Sequence, residues 1–345
     1  MKISSFVNVT EPEKMGFPYL ECIQGALPFC DEILVVCGRK EEESEKKMRA
    51  LSDKVRIINT NAWPETDWSY DIMREHFQIG LDSCDGDIVL KLDADAVFNS
   101  HPNVGPKIRE TLLEKKDCHR IDFGRIDCIN TEAFIYLPFK RVLYAINKKL
   151  LTEENIEYKI SNKSGSNQPI FFKKGDPYTE IKIKEDLIFN SRLIPYNYDN
   201  FFMDAKQISK KWIDFHRGLD IKNKKPKRFE LDEHKEAMSN FAKYKQNKLA
   251  GDVGNNPVID FRNLTFDKID DCLADYGALT NHVYLSKDLH PESIKSRINN
   301  MSPEMWGSVQ IDFSAFPTVR TAEKYKELVN KVRQSDHNRL IEIEL

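Results

Sequence analysis

Two carboxylates follow a short apolar run in the first third of the chain. Ile88 to Leu92 predicts a buried strand, and Asp93 and Asp95 come directly after it. Residues two apart in an extended chain point the same way, so we expect these acidic groups to lie side by side and repel each other. A cation relieves that repulsion, and such oxygen ligands suit Mg2+ or Mn2+, usually shared with substrate phosphates. The pair predicts a metal–diphosphate site, with a solvated turn as the alternative.

Strand and helix patterns alternate before this acidic pair. Strands are predicted over 3–9, 32–37 and 54–58, and helices over 19–27, 41–51 and 71–84. This alternation is typical of an α/β fold with a mainly parallel central sheet and flanking helices. Ligands of such sheets bind at the carboxyl ends of the strands, which is where Asp93 and Asp95 are expected.

Composition sets the size and broad class of the protein. The chain has 345 residues, 40% hydrophobic and 31% charged, with a formal net charge of −3. This suits one large domain with an appendage, or two domains. No run approaches the roughly 18 apolar residues of a transmembrane helix, and the N-terminus lacks a signal-peptide pattern. The near-neutral charge gives no global sign of nucleic-acid binding.

The seven cysteines are scattered singly along the chain. No C-x-x-C pair occurs, so the sequence predicts neither a zinc site nor a disulfide framework. Buried free thiols in a reducing cytosol are the simpler interpretation, and we expect a cytoplasmic protein. A peripheral position at the membrane, or the host cytoplasm for a viral protein, is the alternative.

A basic, proline-interrupted segment divides the chain. It runs from Lys222 to Arg228, and the sequence after it, including 291–299, is mostly helical in pattern. We therefore predict one domain over 1–228 and a mostly helical region over 229–345. The basic segment is either a solvated linker or a patch for an anionic partner, such as nucleic acid or an acidic lipid surface.

The element order, taken with two glycines and the acidic pair, resembles the GT-A (Rossmann-like) fold of family 2 glycosyltransferases. In that family a helix with a late glycine precedes a Gly-x-hydrophobic strand that ends in the metal-binding acidic motif. Gly80, Gly86 and Asp93-Ala-Asp95 fall at matching spacing.

A second stretch is similar to a bacterial and viral subgroup of the same family. In residues 17–36 a helix ends in Leu-Pro and the next strand begins Asp-Glu, as in that subgroup. The resemblance covers residues 3–100 well and 100–220 loosely, and it fades beyond.

The resemblance implies a metal-dependent hexosyl- or pentosyltransferase that inverts the configuration at the anomeric carbon of the sugar it transfers. The donor would be a nucleotide diphospho-sugar and the cofactor Mn2+ or Mg2+. The acceptor would be a glycan, a lipid-linked glycan or a modified nucleic acid, and the region 229–345 would complete the acceptor site or form a homo-oligomer contact. Asp95 would hold the divalent ion, with Asp93 near the ribose or a metal-bound water. The loop with Thr10 and Glu11 would touch the nucleobase and ribose.

Two arginines are further candidates for the donor site. The family usually has an acidic residue for the nucleoside at the end of the second strand, where this chain has Cys37-Gly38-Arg39. Arg39 would contact a phosphate or cap a surface turn. Arg74, on the helix before the metal strand, would reach the diphosphate or remain solvated.

The resemblance also implies a catalytic base and a late metal ligand. Family members place the base well after the acidic motif, often in a Glu-Asp pair, which favours Asp186, with Glu185 next. A charged turn beginning a strand is the alternative for this pair. His216 would be a further metal ligand, or a structural residue among aromatic side chains.

Other classes of protein remain open. A nucleotidyltransferase would need an N-terminal Gly-rich loop, and residues 5–20 contain only Gly16, which counts against it. A catalytically inactive GT-A binding protein is favoured by Cys37-Gly38 and opposed by the intact acidic pair. A glycosyltransferase acting on modified nucleic-acid bases would use the basic segment 222–228.

Overall fold

The computed structural model describes residues 1–60, 70–137, 143–161, 167–188, 193–208, 211, 258–260, 262, 283–286, 290–308, 310 and 319–321. The strands are β1 Ile3–Val9, β2 Glu32–Cys37, β3 Val55–Asn59, β4 Ile88–Asp93, β5 Ala96–Val97, β6 Arg120–Phe123, β7 Arg125–Cys128, β8 Ala133–Leu137, β9 Leu143–Asn147, β10 Ile156–Ser161, β11 Gln168–Lys173, β12 Asp176–Glu180, β13 Glu185–Ile188, β14 Tyr196–Asn197, β15 Val258–Asp260, β16 Val283–Leu285 and β17 Val319–Thr321. The helices are α1 Pro12–Met15, α2 Tyr19–Ala26, α3 Glu42–Arg49, α4 Tyr70–Ser83, α5 Val104–Glu114, α6 Lys148–Glu153 and α7 Glu292–Asn299.

The central sheet of the described chain has seven strands in the order β13-β6-β9-β4-β1-β2-β3. Strands β3, β2, β1 and β4 are parallel neighbours, and β13 is parallel to β6. Strand β9 is antiparallel to both β4 and β6, so β6 runs in the same direction as β4. The predicted α/β fold with a mainly parallel central sheet is confirmed.

Both faces of this sheet are covered, so β1, β2 and β4 are buried almost throughout. On one face α2, α3 and α5 pack through Ile23, Met48 and Ile108. On the other face α4 packs with α6 and the small antiparallel sheet β10-β11-β12. The flanking helices predicted from the sequence are therefore confirmed.

A second sheet begins directly after the acidic pair. Within the described residues its order is β17-β15-β16-β8-β7-β14-β5. The short strand β5 follows β4 after one turn, and β14 pairs with it in antiparallel register. The acidic pair therefore lies at the junction of the two sheets.

The C-terminal region combines helix and strand where the structure describes it. Helix α7 matches the prediction over 291–299, whereas β15, β16 and β17 were not predicted. These are runs of three residues, and Val283 to Leu285 is buried because β16 pairs with β8. The domain division after residue 228 stays a prediction. Among the described helices, none is both long enough and apolar enough to cross a membrane.

Candidate active site

The acidic pair lies at the carboxyl end of a central strand. Asp93 is the last residue of β4, and Asp95 lies in the turn that leads into β5. The backbone N–H of Tyr198 donates a hydrogen bond of 2.8 Å to the carbonyl oxygen of Asp95, which ties this turn to the end of β14. Because β4 is parallel to β1, this end belongs to the edge where α/β sheets bind ligands.

A third carboxylate, Asp199, lies near the pair. Strand β14 places Asn197 opposite Ala96, so the residues after β14 run beside the turn. Burial and the negative charges of Asp199 and Asp93 raise the pKa of the Asp95 carboxyl to about 7. Like charges crowd at this point of the structure, and a bound cation would relieve their repulsion.

Two of the three carboxylates have a lysine partner. Lys91 Nζ lies 2.5 Å from Asp93 Oδ1. Lys211 Nζ forms an ion pair with Asp199. Asp95 forms no ion pair with any residue that the structure describes. Asp95 is therefore the carboxylate of this group that a further cation would stabilise most.

These residues fit a divalent ion that shares its coordination with a substrate. In the described part of the chain, no three His, Cys, Asp or Glu side chains are grouped so that they could hold a metal by themselves. Mg2+ is commonly bound through one or two carboxylates, with the remaining oxygens supplied by water and substrate phosphates. Asp95 and Asp93 provide that smaller set of ligands.

The loop after β1 lies at the same edge of the sheet. Asn8 is opposite Asp93 in the β1–β4 register, and both polar atoms of its side-chain amide are buried without a hydrogen-bond partner among the residues that the structure describes. Buried amides normally have partners, so Asn8 is a candidate to hydrogen-bond a ligand. Thr10 follows at the bend where β1 ends.

Glu11 and Arg39 are brought together by the structure. Glu11 has a left-handed backbone with φ 44° and caps α1. Its carboxylate lies 3.0 Å from Arg39 Nη1 and 3.1 Å from Lys14 Nζ. Burial raises the pKa of Glu11, but the hydrogen bonds from Lys14 and Arg39 outweigh it and hold the pKa below its ordinary value. Arg39, which was predicted to contact a phosphate, therefore forms an ion pair with Glu11, which was predicted to touch the nucleoside.

Arg74 is the fifth residue of α4. Its guanidinium pairs with Asp71 of the same helix at 3.2 Å and is partly exposed. The contacts of the described residues do not connect it to the acidic pair. Its role at the diphosphate stays a prediction.

The structure does not bring Asp186 and Glu185 to the acidic pair. Both lie on β13, which is three strands from β4, or roughly 14 Å sideways. Through β6 and β9, Asp186 is level with Leu90, three residues before the end of β4. Asp186 instead pairs with Lys115 at 2.7 Å.

Glu185 lines a separate cleft of about 560 Å³ between β13 and the small sheet. Arg120, Gln168, Glu180 and Lys182 line the same cleft. The assignment of the catalytic base stays a prediction. The predicted metal ligand His216 and the basic segment 222–228 lie outside the described residues.

The sequence reasoning missed Lys91, Asp199 and Lys211. Lys91 could have been found, because it interrupts an apolar strand two residues before Asp93 and therefore shares its face. Asp199 and Lys211 have no such local signal. They reach the site only through the pairing of β14 with β5 and the ion pair between them.

No protein-family model matches the sequence, and no curated protein matches it. Among solved structures, glucosyl-3-phosphoglycerate synthase from Mycobacterium tuberculosis is 18% identical with a TM-score of 0.30, over 44% of this chain and 58% of that one. A mannosyltransferase from Pyrobaculum calidifontis is 9% identical with a TM-score of 0.39, over 66% and 65%. The chain thus spans less than two thirds of either.

The first of these structures contains Mn2+, uridine diphosphate and glucosyl-3-phosphoglycerate. The second contains GDP-mannose and Mn2+. Both structures thus hold a nucleotide together with Mn2+, and the second protein is named a mannosyltransferase.

Proposed function

We propose that this protein is a metal-dependent glycosyltransferase that moves a sugar from a nucleotide diphospho-sugar to an acceptor, with inversion. The observation that carries the proposal is Asp95. It is crowded by Asp93 and Asp199, it has no ion pair among the described residues, and it lies at the carboxyl end of a central parallel strand. This is where a divalent cation and a diphosphate would stabilise the protein most.

The residues of the site divide the chemistry between them. Asp95 and Asp93 would hold Mg2+ or Mn2+. The bound ion would neutralise the negative charge that develops on the leaving diphosphate. Asn8, whose buried amide has no partner among the described residues, would hydrogen-bond the nucleoside. Thr10 and the Glu11–Arg39 ion pair form the neighbouring wall at the ends of β1 and β2. An inverting transfer needs a base for the acceptor proton, and Asp186 and Glu185 are the candidates to be tested.

Slow hydrolysis of the donor tests the proposal without knowledge of the acceptor. The protein is incubated with a panel of nucleotide sugars and Mn2+, and release of nucleoside diphosphate is measured. We expect release for at least one donor, with loss on addition of EDTA and a loss of about 100-fold or more in Asp95→Asn.

Asp53→Asn, the same chemical change at an exposed surface position, is the matched control and should retain wild-type release. The absence of release from every donor would contradict the proposal. So would pyrophosphate release from a nucleoside triphosphate and a sugar phosphate, because that reaction defines a nucleotidyltransferase. Asp186→Asn in an assay with an acceptor then shows whether that residue is the base.

A further inference from the structure

A lysine lies buried in the middle of the central sheet. Lys91 is only 2% exposed, between the apolar residues Leu90 and Leu92 of β4. Lysine is almost never fully buried unless its charge is paired, because removing an ammonium group from water is costly. This position therefore requires a specific partner inside the protein.

The first carboxylate of the acidic pair is such a partner. Lys91 Nζ lies 2.5 Å from Asp93 Oδ1, and it lies 4.8 Å from the centre of the Phe77 ring on α4. Lys91 and Asp93 are two residues apart on one strand, so the strand geometry itself places them on the same face. The ammonium group is fixed between a carboxylate and an aromatic face and has almost no exposure to solvent.

This ion pair changes the charge of the acidic motif. Asp93 and Asp95 together would carry two negative charges. The buried ammonium group of Lys91 offsets the charge of Asp93, so the three side chains carry one net negative charge. The pair is only partly screened by water, since Asp93 is 28% exposed and Lys91 is 3% exposed at the side chain. A divalent ion bound here then leaves a net positive site, which favours a diphosphate.

We propose that Lys91 is a positioning residue that acts through Asp93 and sets the charge of the metal–diphosphate site. It lowers the affinity for the free divalent ion and raises the affinity of the metal-loaded site for the nucleoside diphosphate. The metal ion and the nucleotide consequently bind cooperatively, because each raises the affinity of the site for the other. This inference rests on the proposed function, because it concerns the same site.

Lys91→Met tests the inference, because methionine keeps an unbranched apolar side chain of similar length and removes the charge. Loss of one positive charge a few ångströms from a divalent ion should strengthen binding of free Mn2+ by about tenfold. The same loss should weaken binding of uridine or guanosine diphosphate in saturating Mn2+ several-fold. Mn2+ affinity is measured by electron paramagnetic resonance, and nucleotide affinity by titration calorimetry.

The two opposite shifts separate an electrostatic role from a structural one, since a damaged site would bind both ligands more weakly. Lys148→Met is the matched control. Lys148 donates hydrogen bonds to the carbonyl oxygens of Leu81 and Cys84 at the end of α4, so its loss should change stability and neither affinity. Lys91→Arg keeps the charge and should keep both affinities near wild type.

If Lys91→Met does not fold, Lys91→Gln removes the charge but retains a hydrogen-bond donor for Asp93, and it should show the same opposite shifts. The inference would be overturned if the neutral variant bound both Mn2+ and nucleotide more weakly, or bound both as the wild type does. The proposed function would still stand in that case, provided that the wild type binds nucleotide in the presence of Mn2+. A wild-type protein that binds neither nucleotide in the presence of Mn2+ would overturn both.

Discussion

Single buried side chains in this protein are held in one protonation state by their neighbours, and His290 is the clearest case. Its Nδ1 lies 2.9 Å from the hydroxyl of Tyr198, and its Nε2 lies 3.1 Å from the carbonyl oxygen of Thr131. A neutral imidazole with its proton on Nε2 satisfies both contacts, because it donates to the carbonyl and accepts from the hydroxyl. Burial and the charge of Lys295 lower the pKa of His290 to about 4, although the bond to Thr131 opposes them.

This shift makes the stability of the fold depend on pH. The unfolded chain binds a proton at His290 near pH 6.5 and the folded chain only near pH 4. The contribution of the neutral histidine is therefore complete above pH 6.5 and falls as the pH drops toward 4. Between pH 7 and pH 5 we expect this group alone to lower the free energy of unfolding by about 2 kcal/mol.

Urea unfolding of the wild type and of His290→Gln at both pH values measures the effect. The variant should be less stable at pH 7, where a good buried contact is lost. It should also lose about 2 kcal/mol less than the wild type on acidification, because glutamine does not titrate. Equal losses in the two proteins would show that the pKa of His290 is the same in the folded and the unfolded chain.

Residue identities near the site could be predicted only where the relevant neighbours are close in sequence. Asp93 and Asp95 follow a recognisable strand, so their position at its carboxyl end could be derived. Asp199 approaches them only because β14 pairs with β5. Asp186 was expected near the pair because of a family pattern. The register through β6 and β9 places it three strands away, and no local pattern specifies that register.

At the level of elements, the packing of α4 on β1 depends on Gly80. An added Cβ at this glycine would lie 2.4 Å from Cδ2 of the Phe6 ring, which is fully buried and also contacts Phe77 edge to face. The glycine therefore sets how closely the helix that precedes the acidic strand can approach the sheet.

Gly80→Ala sets two effects against each other. Alanine favours the helix interior over glycine by about 1 kcal/mol. Overpacking of a buried contact costs about 1–3 kcal/mol, and the Phe6 ring is fully buried against Phe77. We expect the steric cost to exceed the propensity gain, with a net loss of about 1 kcal/mol in the free energy of unfolding.

A double-mutant cycle with Phe6→Leu tests this cause. The smaller side chain removes the clash, so Gly80→Ala should be neutral or stabilising in that background, as helix propensity alone predicts. Destabilisation of the same size in both backgrounds would show that Phe6 is not the obstacle. Chemical unfolding of the four proteins gives the comparison directly.

Elements with strong local patterns were predicted well, and short ones were not. The helix expected over 71–84 is α4, and the strand expected over 32–37 is β2. Both could be predicted because these segments have regular apolar spacing and turn residues beside them. Strands of two or three residues such as β5, β14 and β16 carry too few positions for a pattern. They exist because partners from distant segments complete their hydrogen bonding.

At the scale of the whole molecule, the C-terminal region completes the second sheet. Strand β16 pairs with β8, and Tyr284 stacks on Phe134 with ring centres 5.1 Å apart. Helix α7 contributes Arg297, which donates to the carbonyl oxygen of Gly16 at 3.0 Å. The backbone N–H of Gly307 donates a hydrogen bond of 2.8 Å to the carbonyl oxygen of Phe201. These contacts join residues on both sides of the predicted boundary at 228.

A chain shortened to residues 1–228 should consequently fail to keep its native second sheet. Val283, Tyr284, Leu285, Ile294 and Trp306 are all buried. At about 1.5–3 kcal/mol for each large side chain, their removal costs roughly 10 kcal/mol of hydrophobic stabilisation. That loss is comparable to the whole stability of a typical domain, about 5–15 kcal/mol. It would also leave β8 as an unpaired apolar edge.

Size-exclusion chromatography and urea unfolding of 1–228 beside the full chain decide the matter. We expect the shortened chain to aggregate, or to unfold at a lower urea concentration and with a shallower transition, because the second sheet no longer unfolds with the first. The acidic pair lies at the junction of the two sheets, so binding of Mn2+ and nucleoside diphosphate should weaken as well. A monomeric 1–228 with the unfolding midpoint of the full chain would instead establish a domain boundary after residue 228. The C-terminal strands would then be an addition to a sheet that is stable without them.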